Sequence, residues 1–385
     1  MTKKITIYLL VSLLVLGSFS SYSFAKEPFD IDAKAALLMD FGSGQILYEK
    51  NANKKLEPAS ITKIMVLLIA MESLDEGRIN LEDKVNISNY AASMGGSQVY
   101  LEAGGVNTVE ELLRAICLRS ANDASVALGE YIAGSEELFL QMMNNKSKEL
   151  GMNNTNFMNL TGLPEDKHYT SAYDISIMSR ELLKHKKIHQ WLTIWMSTIM
   201  VGKNHDVEQE LVNTNKLIRF YKGANGIKTG STSTAGFCLS ASASRGNTTF
   251  ISVILGAENS QIRFSESKKL LDYGFANYES RKIYNKGDVV KKIPVEKGKI
   301  KRTNIIVKDD ISILLKKGDN NDIQKKINIP DVIKAPINKG DIVGEVIISL
   351  SGKVVNKESL IVQEEIKKAN MIDMFKRILS KMVVK

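Results

Sequence analysis

Apolar and polar positions divide the chain into segments of different period. Two largely apolar runs at residues 35–39 and 45–48, separated by a glycine turn, predict a β-hairpin. From about residue 60 to 220 the apolar spacing is mostly helical. Three β-type runs follow between Gly226 and Gly256, and residues 259–274 predict a closing helix. Strands at both ends of a helical region indicate an α+β domain built on one antiparallel sheet.

The pattern changes again after about residue 277. Short β-branched runs alternate with three Lys-Gly-Asp turns, which predicts a small, mostly antiparallel β domain. In residues 364–385 the apolar positions fall on one helical face and lysines occupy much of the rest, which predicts an amphipathic helix. The predicted segments are a signal at 1–25, an α+β domain at 26–276, a β-rich domain at 277–362 and the helix at 363–385.

The first residues predict an export signal. Lys3 and Lys4 precede an apolar stretch, and Ser23-Phe24-Ala25 provides a cleavage site of the small-x-small type. The protein is therefore expected on the outer face of the cytoplasmic membrane or in the cell wall space. Its two cysteines, Cys117 and Cys238, are flanked by apolar residues and are expected to be buried free thiols.

Charge narrows the range of partners. The formal net charge is +9, which favours an anionic surface such as lipid headgroups or wall polymer. Nucleic acid is not expected as a partner, because no recognition motif is present and only 7% of the residues are aromatic. The basic helix at the C-terminus predicts an anchor on an anionic membrane surface, with a helix docked on its own domain as the alternative.

A candidate nucleophile and base stand at the head of a strongly apolar run. Ser60 and Lys63 are three residues apart, so a helix would place both on one face. A serine hydroxyl needs a neighbouring base, and a buried lysine amine can serve because burial lowers its pKa. The pattern alone is weak, since Ser265 and Lys268 repeat it in a polar setting and a serine is also an ordinary helix cap.

Two further short motifs supply the chemistry that the first one lacks. Ser120-x-Asn122 offers a hydroxyl to relay a proton and an amide to hold a peptide carbonyl or the base. Lys228-Thr229-Gly230 offers a cation and a hydroxyl for a substrate carboxylate, with a glycine that admits close approach. Either motif alone also fits a turn or a solvated strand edge, so their conjunction carries the argument.

The three motifs together resemble the signature of penicillin-binding proteins and serine β-lactamases. Five stretches narrow the resemblance to the D-alanyl-D-alanine carboxypeptidases, the low-molecular-mass penicillin-binding proteins. They are Pro58 to Lys63, Ser120 to Ala124, Gly162-Leu163-Pro164, His168 to Asp174, and Gly226 to Gly230. The resemblance covers the mature chain and implies a penicillin-binding or β-lactamase-like transpeptidase domain, a β-rich second domain and an amphipathic tail.

The resemblance also implies roles for individual residues. Ser60 attacks the carbonyl between the last two D-alanines of a peptidoglycan pentapeptide stem, Lys63 is the base, and Ser120 protonates the departing D-alanine. Asn122 orients the substrate and Lys63, while Lys228 and Thr229 bind the terminal carboxylate. The backbone N–H groups of Ser60 and Ser231, the residue after Gly230, form the oxyanion hole. β-Lactams are the implied covalent inhibitors, and no cofactor is implied.

Several alternatives stay beside this interpretation. A β-lactamase needs a deacylating glutamate four residues before an asparagine, but Tyr169 stands four residues after Glu165, and Glu165 and Asp166 are expected in a turn. An endopeptidase that cuts cross-links and a penicillin-binding sensor or scaffold without useful turnover are the remaining rivals. His185 and His189 lie four apart without the glutamate of a metalloprotease motif, so no metal site is expected.

Overall fold

A five-stranded antiparallel sheet forms the centre of the first domain. We describe residues 29–319 and 322–373 of a computed structural model. The strand order in the sheet is β2-β1-β9-β8-β7. The strands up to residue 257 are β1 Ala35–Asp40, β2 Ile46–Lys50, β3 Lys84–Asn86, β4 Val106–Thr108, β5 Met196–Val201, β6 Val207–Val212, β7 Ala224–Thr232, β8 Gly236–Arg245 and β9 Thr248–Ala257. Because β1 pairs with β9, strands from both ends of the domain share one sheet, as predicted.

Helices cover both faces of this sheet. Their bounds are Lys63–Asp75, Asn89–Ala92, Val109–Arg119, Asn122–Ala133, Glu136–Glu149, Ala172–Lys184, His189–Leu192, Leu217–Phe220 and Ser260–Asn277. Ser240 on β8 hydrogen bonds to Ser179, whereas Ser252, which pairs with Ala241, bonds to Ser267. Neighbouring residues of a strand face opposite sides. The helix that carries Ser179 and the one that carries Ser267 therefore lie on opposite faces.

The helix Lys63–Asp75 runs through the core. All its residues except Glu72 and Asp75 are buried, as the nearly continuous apolar run predicted. Two other helix starts also agree with their sequences. Thr108 and Glu111 form a reciprocal capping box, and the Ser171 hydroxyl accepts the N–H of Asp174. The predicted antiparallel strands β7 to β9 and the closing helix are confirmed as well.

Two local features of the first domain were not anticipated. The hairpins β3–β4 and β5–β6 lie within the segment whose spacing is mostly helical. In β5–β6 only three side chains are buried, Ile199, Val201 and Leu211, so the apolar alternation is too sparse to mark strands. Cys117 and Cys238 are buried free thiols, as expected.

The second domain is all β. Its strands are β10 Tyr278–Tyr284, β11 Val289–Glu296, β12 Arg302–Val307, β13 Ile311–Lys316, β14 Ile323–Asn328, β15 Ile333–Lys334, β16 Ile342–Leu350 and β17 Lys353–Val362. Six of them form a sheet in the order β14-β16-β17-β12-β11-β15, and β10 pairs with β13. The glycines of the three Lys-Gly-Asp turns have φ of +87°, +85° and +89°, a conformation that favours glycine, which confirms those turns.

The predicted C-terminal helix does not begin at residue 363. Ile366 bridges to Ile337, and Lys368 bridges to Gly298, so this segment is extended along the β domain. Ile366 is 1% exposed in the core of that domain, because its side chain completes the apolar cluster between the strands. Helical geometry starts at Met371, and the remainder of the predicted helix at 374–385, like the predicted signal at 1–25, lies outside the described residues.

The helices of the described chain do not reach across a membrane. Among residues 29–319 and 322–373 no helix has both the length and the apolar character needed to cross a bilayer.

Replacing Ile366 with Ala tests its place in the β-domain core. We expect Ile366→Ala to lower the free energy of unfolding by about 2–5 kcal/mol, because it leaves a cavity in a packed core. Ile372, which is 65% exposed, provides the matched control, and Ile372→Ala should leave unfolding unchanged. Urea unfolding of the purified chain measures both, and equal stability of the two variants would contradict the core position.

Candidate active site

Ser60 lies in a tight turn just before the central helix. A 3₁₀ turn spans Ala59–Thr62, and the α-helix begins at Lys63, so Ser60 is not on the α-helix that the sequence predicts. Ala59 has a φ of +48°, which bends the chain before Ser60. A Cβ on Gly162 would lie 1.9 Å from the carbonyl oxygen of Ala59, and one on Gly230 would lie 2.9 Å from the nitrogen of Ser60. The two glycines let neighbouring backbone segments close around the serine.

The Lys63 amine connects three segments of the first domain. Its Nζ lies 3.1 Å from Ser60 Oγ, 2.7 Å from Asn122 Oδ1 and 2.6 Å from the carbonyl oxygen of Thr161. The Asn122 amide nitrogen donates to the carbonyl oxygen of Gly95 at 2.6 Å, which turns its oxygen toward the lysine. Complete burial, and then the charge of Lys228, hold the pKa of Lys63 well below 10.5, although Asp123 opposes them.

A neutral Lys63 amine has the geometry of a base toward Ser60. A neutral amine carries two hydrogens and one lone pair. The oxygens of Asn122 and Thr161 can only accept, so the two hydrogens point to them. The lone pair is then left for the Ser60 hydroxyl, which can donate its proton to Nζ. This arrangement can activate the serine as a nucleophile.

Ser120 and Asn122 lie on either side of a helix boundary. Ser120 ends the helix Val109–Arg119 with a φ of +64°, and Asn122 begins the next helix. Ser120 is 4% exposed, and its hydroxyl has no hydrogen-bond partner among the described residues. A buried hydroxyl without a partner is costly unless a ligand uses it. It is therefore free to exchange a proton with a bound substrate.

The third motif lies on the sheet edge next to Ser60. Lys228 is buried, and burial lowers its pKa to about 7. Its Nζ contacts the carbonyl oxygen of Thr229 at 3.3 Å, and the Thr229 hydroxyl donates to Thr214 at 2.7 Å. Ser231 is exposed at the same edge. The motif thus offers a cation that a bound carboxylate would hold in its charged form.

Four residues that support the site were not singled out from the sequence. They are Thr161, whose carbonyl oxygen accepts from Lys63; Asp123, which accepts the N–H groups of Val99 and Leu101; Arg263, which donates to the carbonyl oxygen of Gly230; and His168. Asp123 and His168 each stood within a recognised stretch, but neither was assigned a role. The carbonyl oxygen of Thr161 belongs to the backbone and has no sequence signature. Asp123 and Arg263 bond to partners that lie 22 and 33 residues away in the chain.

His168 supports the Ser60 turn as a neutral imidazole. Its Nδ1 accepts the N–H of Met158 at 3.1 Å, so the ring proton is on Nε2, which lies 2.9 Å from the Thr62 hydroxyl. The Thr62 hydroxyl in turn donates to the carbonyl oxygen of Ala59 at 2.9 Å. Burial and the nearby Lys63 lower the pKa of His168 to about 4. The imidazole therefore stays neutral near pH 7.

The other residues with a candidate role in the sequence lie elsewhere. Ser265 is exposed on the helix Ser260–Asn277, and its hydroxyl donates to the carbonyl oxygen of Ile262. Glu165 accepts from Asn159, and its carbonyl oxygen accepts the N–H of His168, so it is a turn residue as expected. His185 and His189 contact Asp75 and the carbonyl oxygen of Leu183, respectively.

The fold and the site together define the class of active-site serine enzymes that contains the penicillin-binding proteins. A family model described as D-alanyl-D-alanine carboxypeptidase matches residues 22–259, and one described as Penicillin-binding protein 5, C-terminal domain, matches residues 278–368. The chain belongs to the D-alanyl-D-alanine carboxypeptidase family, the low-molecular-mass penicillin-binding proteins.

Individual relatives cover most of the chain. It is 44% identical over 382 residues to the D-alanyl-D-alanine carboxypeptidase DacF of Bacillus subtilis, with 97% of each protein covered. Penicillin-binding protein 5 from Haemophilus influenzae has a TM-score of 0.71 at 30% identity, covering 89% of this chain and all of that one. The ampicillin-bound form of penicillin-binding protein D2 from Listeria monocytogenes has a TM-score of 0.55 at 29% identity, covering 65% of this chain and 100% of that one.

Replacing Lys63 with Arg tests the need for a neutral amine. Arginine keeps the positive charge and cannot release its proton in a protein. We expect Lys63→Arg to slow acylation of Ser60 by a labelled penicillin about 10²–10⁴-fold at pH 7. Lys268→Arg makes the same change in the second Ser-x-x-Lys pattern, where Ser265 is exposed and Lys268 is half-buried, and should leave the rate unchanged. Acylation of the Lys63→Arg variant at the wild-type rate, with unaltered melting temperature, would contradict the assignment.

Proposed function

We propose that the protein is a serine-type D-alanyl-D-alanine carboxypeptidase that removes the terminal D-alanine from peptidoglycan pentapeptide stems. The observation that carries this proposal is the Lys63 amine. It is fully buried, has a lowered pKa, and is held by Asn122 and Thr161 with Ser60 as its third neighbour. The family membership and the 44% identical relative, itself named a D-alanyl-D-alanine carboxypeptidase, support the same activity.

The proposed reaction begins with acylation of Ser60. The Lys63 amine takes the hydroxyl proton as Ser60 Oγ attacks the carbonyl carbon of the penultimate D-alanine. The backbone N–H groups of Ser60 and Ser231 stabilise the oxyanion of the tetrahedral intermediate. When this intermediate collapses, the C–N bond breaks and the departing D-alanine receives its proton through Ser120. Water then hydrolyses the ester and frees Ser60.

The substrate carboxylate is the proposed ligand of Lys228 and Thr229. Lys228 has a pKa of about 7 without ligand, because its amine is buried. A carboxylate beside it favours the charged amine and raises this pKa. The charge on Lys228 in turn helps to keep Lys63 neutral, since it lowers the pKa of Lys63 together with burial. Gly230 and Asn122 complete the site by close approach to Ser60 and by orienting substrate and base.

β-Lactams are the proposed covalent inhibitors, since the same serine would open their strained amide. The ampicillin-bound neighbour from Listeria monocytogenes supports this step. The endopeptidase and sensor alternatives use the same acylation of Ser60. They differ from the carboxypeptidase in the fate of the acyl group and in the substrate, because a sensor keeps the acyl group and an endopeptidase requires a cross-linked substrate.

Ser60→Ala separates these possibilities. Wild-type protein should release D-alanine from a peptide ending in D-Ala-D-Ala and should bind labelled penicillin covalently, whereas Ser60→Ala should do neither. Ser265→Ala is the matched control from the second motif and should behave as wild type. Label without D-alanine release would favour the sensor. Release by Ser60→Ala would remove Ser60 from the mechanism.

Export and membrane attachment are part of the proposal. The signal pattern at 1–25 would deliver the chain to the outer face of the cytoplasmic membrane. The lysines and apolar residues at 374–385 would hold it at an anionic lipid surface, where stems are exposed to the active site.

Removing residues 374–385 tests the anchor without disturbing the β-domain core, because Ile366 stays in place. The truncated chain should no longer sediment with vesicles of anionic lipid, should keep its carboxypeptidase rate on a soluble peptide, and should melt at the same temperature. The intact chain should bind anionic vesicles more strongly than neutral ones and lose binding at high salt. Unchanged sedimentation of the truncated chain would refute the anchor.

A further inference from the structure

A groove of about 590 Å³ lies on the first domain, outside the site described above, and we call it the basic groove. One wall is the segment 216–220. The other wall is a face of the helix Ser260–Asn277, on which the lining residues follow at helical spacing: Ser260, Gln261, Phe264, Ser265 and Lys268. The basic groove therefore contains the second Ser-x-x-Lys pattern, which has no role in the proposed reaction.

The two walls of the basic groove run in the same direction. At one end, Thr214 bonds to Thr229 on β7, and Arg263 of the helix bonds to the next residue of that strand. At the other end, the Tyr221 hydroxyl donates to Asp272 of the helix at 2.7 Å. The lysine that begins the segment 216–220 therefore lies near the start of the helix, and the lysine of the helix lies at the opposite end of the groove.

Both ends of the basic groove are cationic. Lys216 is exposed and Lys268 is half-buried, and in the part of the chain that the structure describes neither side chain makes a hydrogen bond or an ion pair. The lining contains no acidic residue among those described. The two acidic residues of the helix, Glu266 and Asp272, are paired outside the groove. Because a helix rises about 1.5 Å per residue, the seven residues from Gln261 to Lys268 separate the two ends by about 10 Å.

Between the two lysines the lining is mostly apolar. Leu217 and Phe264 are buried, whereas Phe220 is 63% exposed. One side of the Phe220 ring packs edge-on against Trp195, with the ring centroids 6.1 Å apart. Gln261 is exposed and its amide has no partner among residues 29–319 and 322–373, so it can both donate to and accept from a peptide backbone. The groove thus offers an apolar contact, an amide and two cations.

We propose that the basic groove binds an extended segment of a partner protein in which two carboxylates flank apolar side chains. An extended chain advances about 3.3 Å per residue, so carboxylates three residues apart match the length of the groove. Their charges would pair with Lys216 and Lys268, and the apolar side chains between them would cover Phe220. A lipid has one anionic end and would pair with only one of the lysines. The proposal does not depend on the proposed function.

Three dye-labelled tetrapeptides with blocked ends test the basic groove in the full-length protein. They are Glu-Phe-Leu-Glu, Glu-Ser-Ser-Glu and Lys-Phe-Leu-Lys. We expect the first to bind about tenfold more tightly than either of the others, because apolar burial and charge complementarity act together in it alone. Fluorescence anisotropy measures the affinities, and high salt should weaken the binding of the first peptide. Equal affinity for all three peptides, or no binding of the first, would overturn the proposal.

Variants of the groove residues then locate the contacts. Lys216→Glu/Lys268→Glu should lose affinity for Glu-Phe-Leu-Glu and gain it for Lys-Phe-Leu-Lys. Phe220→Ser should lower the affinity for Glu-Phe-Leu-Glu to that for Glu-Ser-Ser-Glu. Lys222→Glu changes an exposed lysine outside the groove and should alter neither affinity. Unchanged peptide binding by the double variant would place the peptide elsewhere and refute the groove. Acylation by labelled penicillin should stay at the wild-type rate in each variant, so a failure of the groove is distinct from a failure of the proposed function.

Two other occupants of the basic groove predict different results. If a second copy of the chain fills it, the protein alone should dimerise in analytical ultracentrifugation, and Lys216→Glu/Lys268→Glu should restore the monomer. If a lipid fills it, dodecanoate should bind more tightly than Glu-Phe-Leu-Glu and displace it. Either result would overturn the partner segment as the occupant.

Discussion

The burial of one lysine amine is the constraint on which this site depends. A charged amine taken out of water is unstable unless it is paired, so a completely buried lysine favours the neutral form. Lys63 is the first residue of the core helix Lys63–Asp75. The other residues of this helix are almost all apolar and buried, so the helix holds Lys63 away from water. The same burial that would destabilise a charged lysine makes the neutral amine a base. The packing of the first domain and the activation of Ser60 therefore both depend on the burial of Lys63.

Three segments that are distant in sequence meet at this amine. The turn before the central helix supplies Ser60, the helix Asn122–Ala133 supplies an amide oxygen, and the loop around Thr161 supplies a carbonyl oxygen. Each segment has its own support. Asp123 fixes the loop at residues 95–101 through backbone N–H groups, and His168 holds the turn through Thr62. The neutral His168 adds no charge beside the base, whereas the charge of Asp123 partly opposes the lowered pKa of Lys63.

The second buried lysine gives the site a link between binding and reactivity. Lys228 lies on the sheet edge with a pKa of about 7, so its charge depends on what is bound beside it. In the proposed function the substrate carboxylate fixes that charge, and the charge lowers the pKa of Lys63. Strand β7 thus orders recognition of the terminal carboxylate and of the reacting carbonyl along a single direction.

Residue order alone was enough to predict most of the elements and the candidate reacting groups. Periodicity predicted the terminal strands, the buried central helix and the β domain, since each depends on which faces are apolar. The motifs predicted Ser60, Lys63, Asn122 and Lys228 as site residues, because the residue type determines which groups can act as nucleophile, base or ligand. The features that depend on contacts between residues distant in sequence became visible only in the folded chain. It moved Ser60 from the α-helix into a 3₁₀ turn shaped by Gly162, made a carbonyl oxygen of Thr161 a ligand of the base, and drew Ile366 into the β core instead of a helix face. Backbone groups and long-range contacts leave no local pattern, so only the folded chain reveals them.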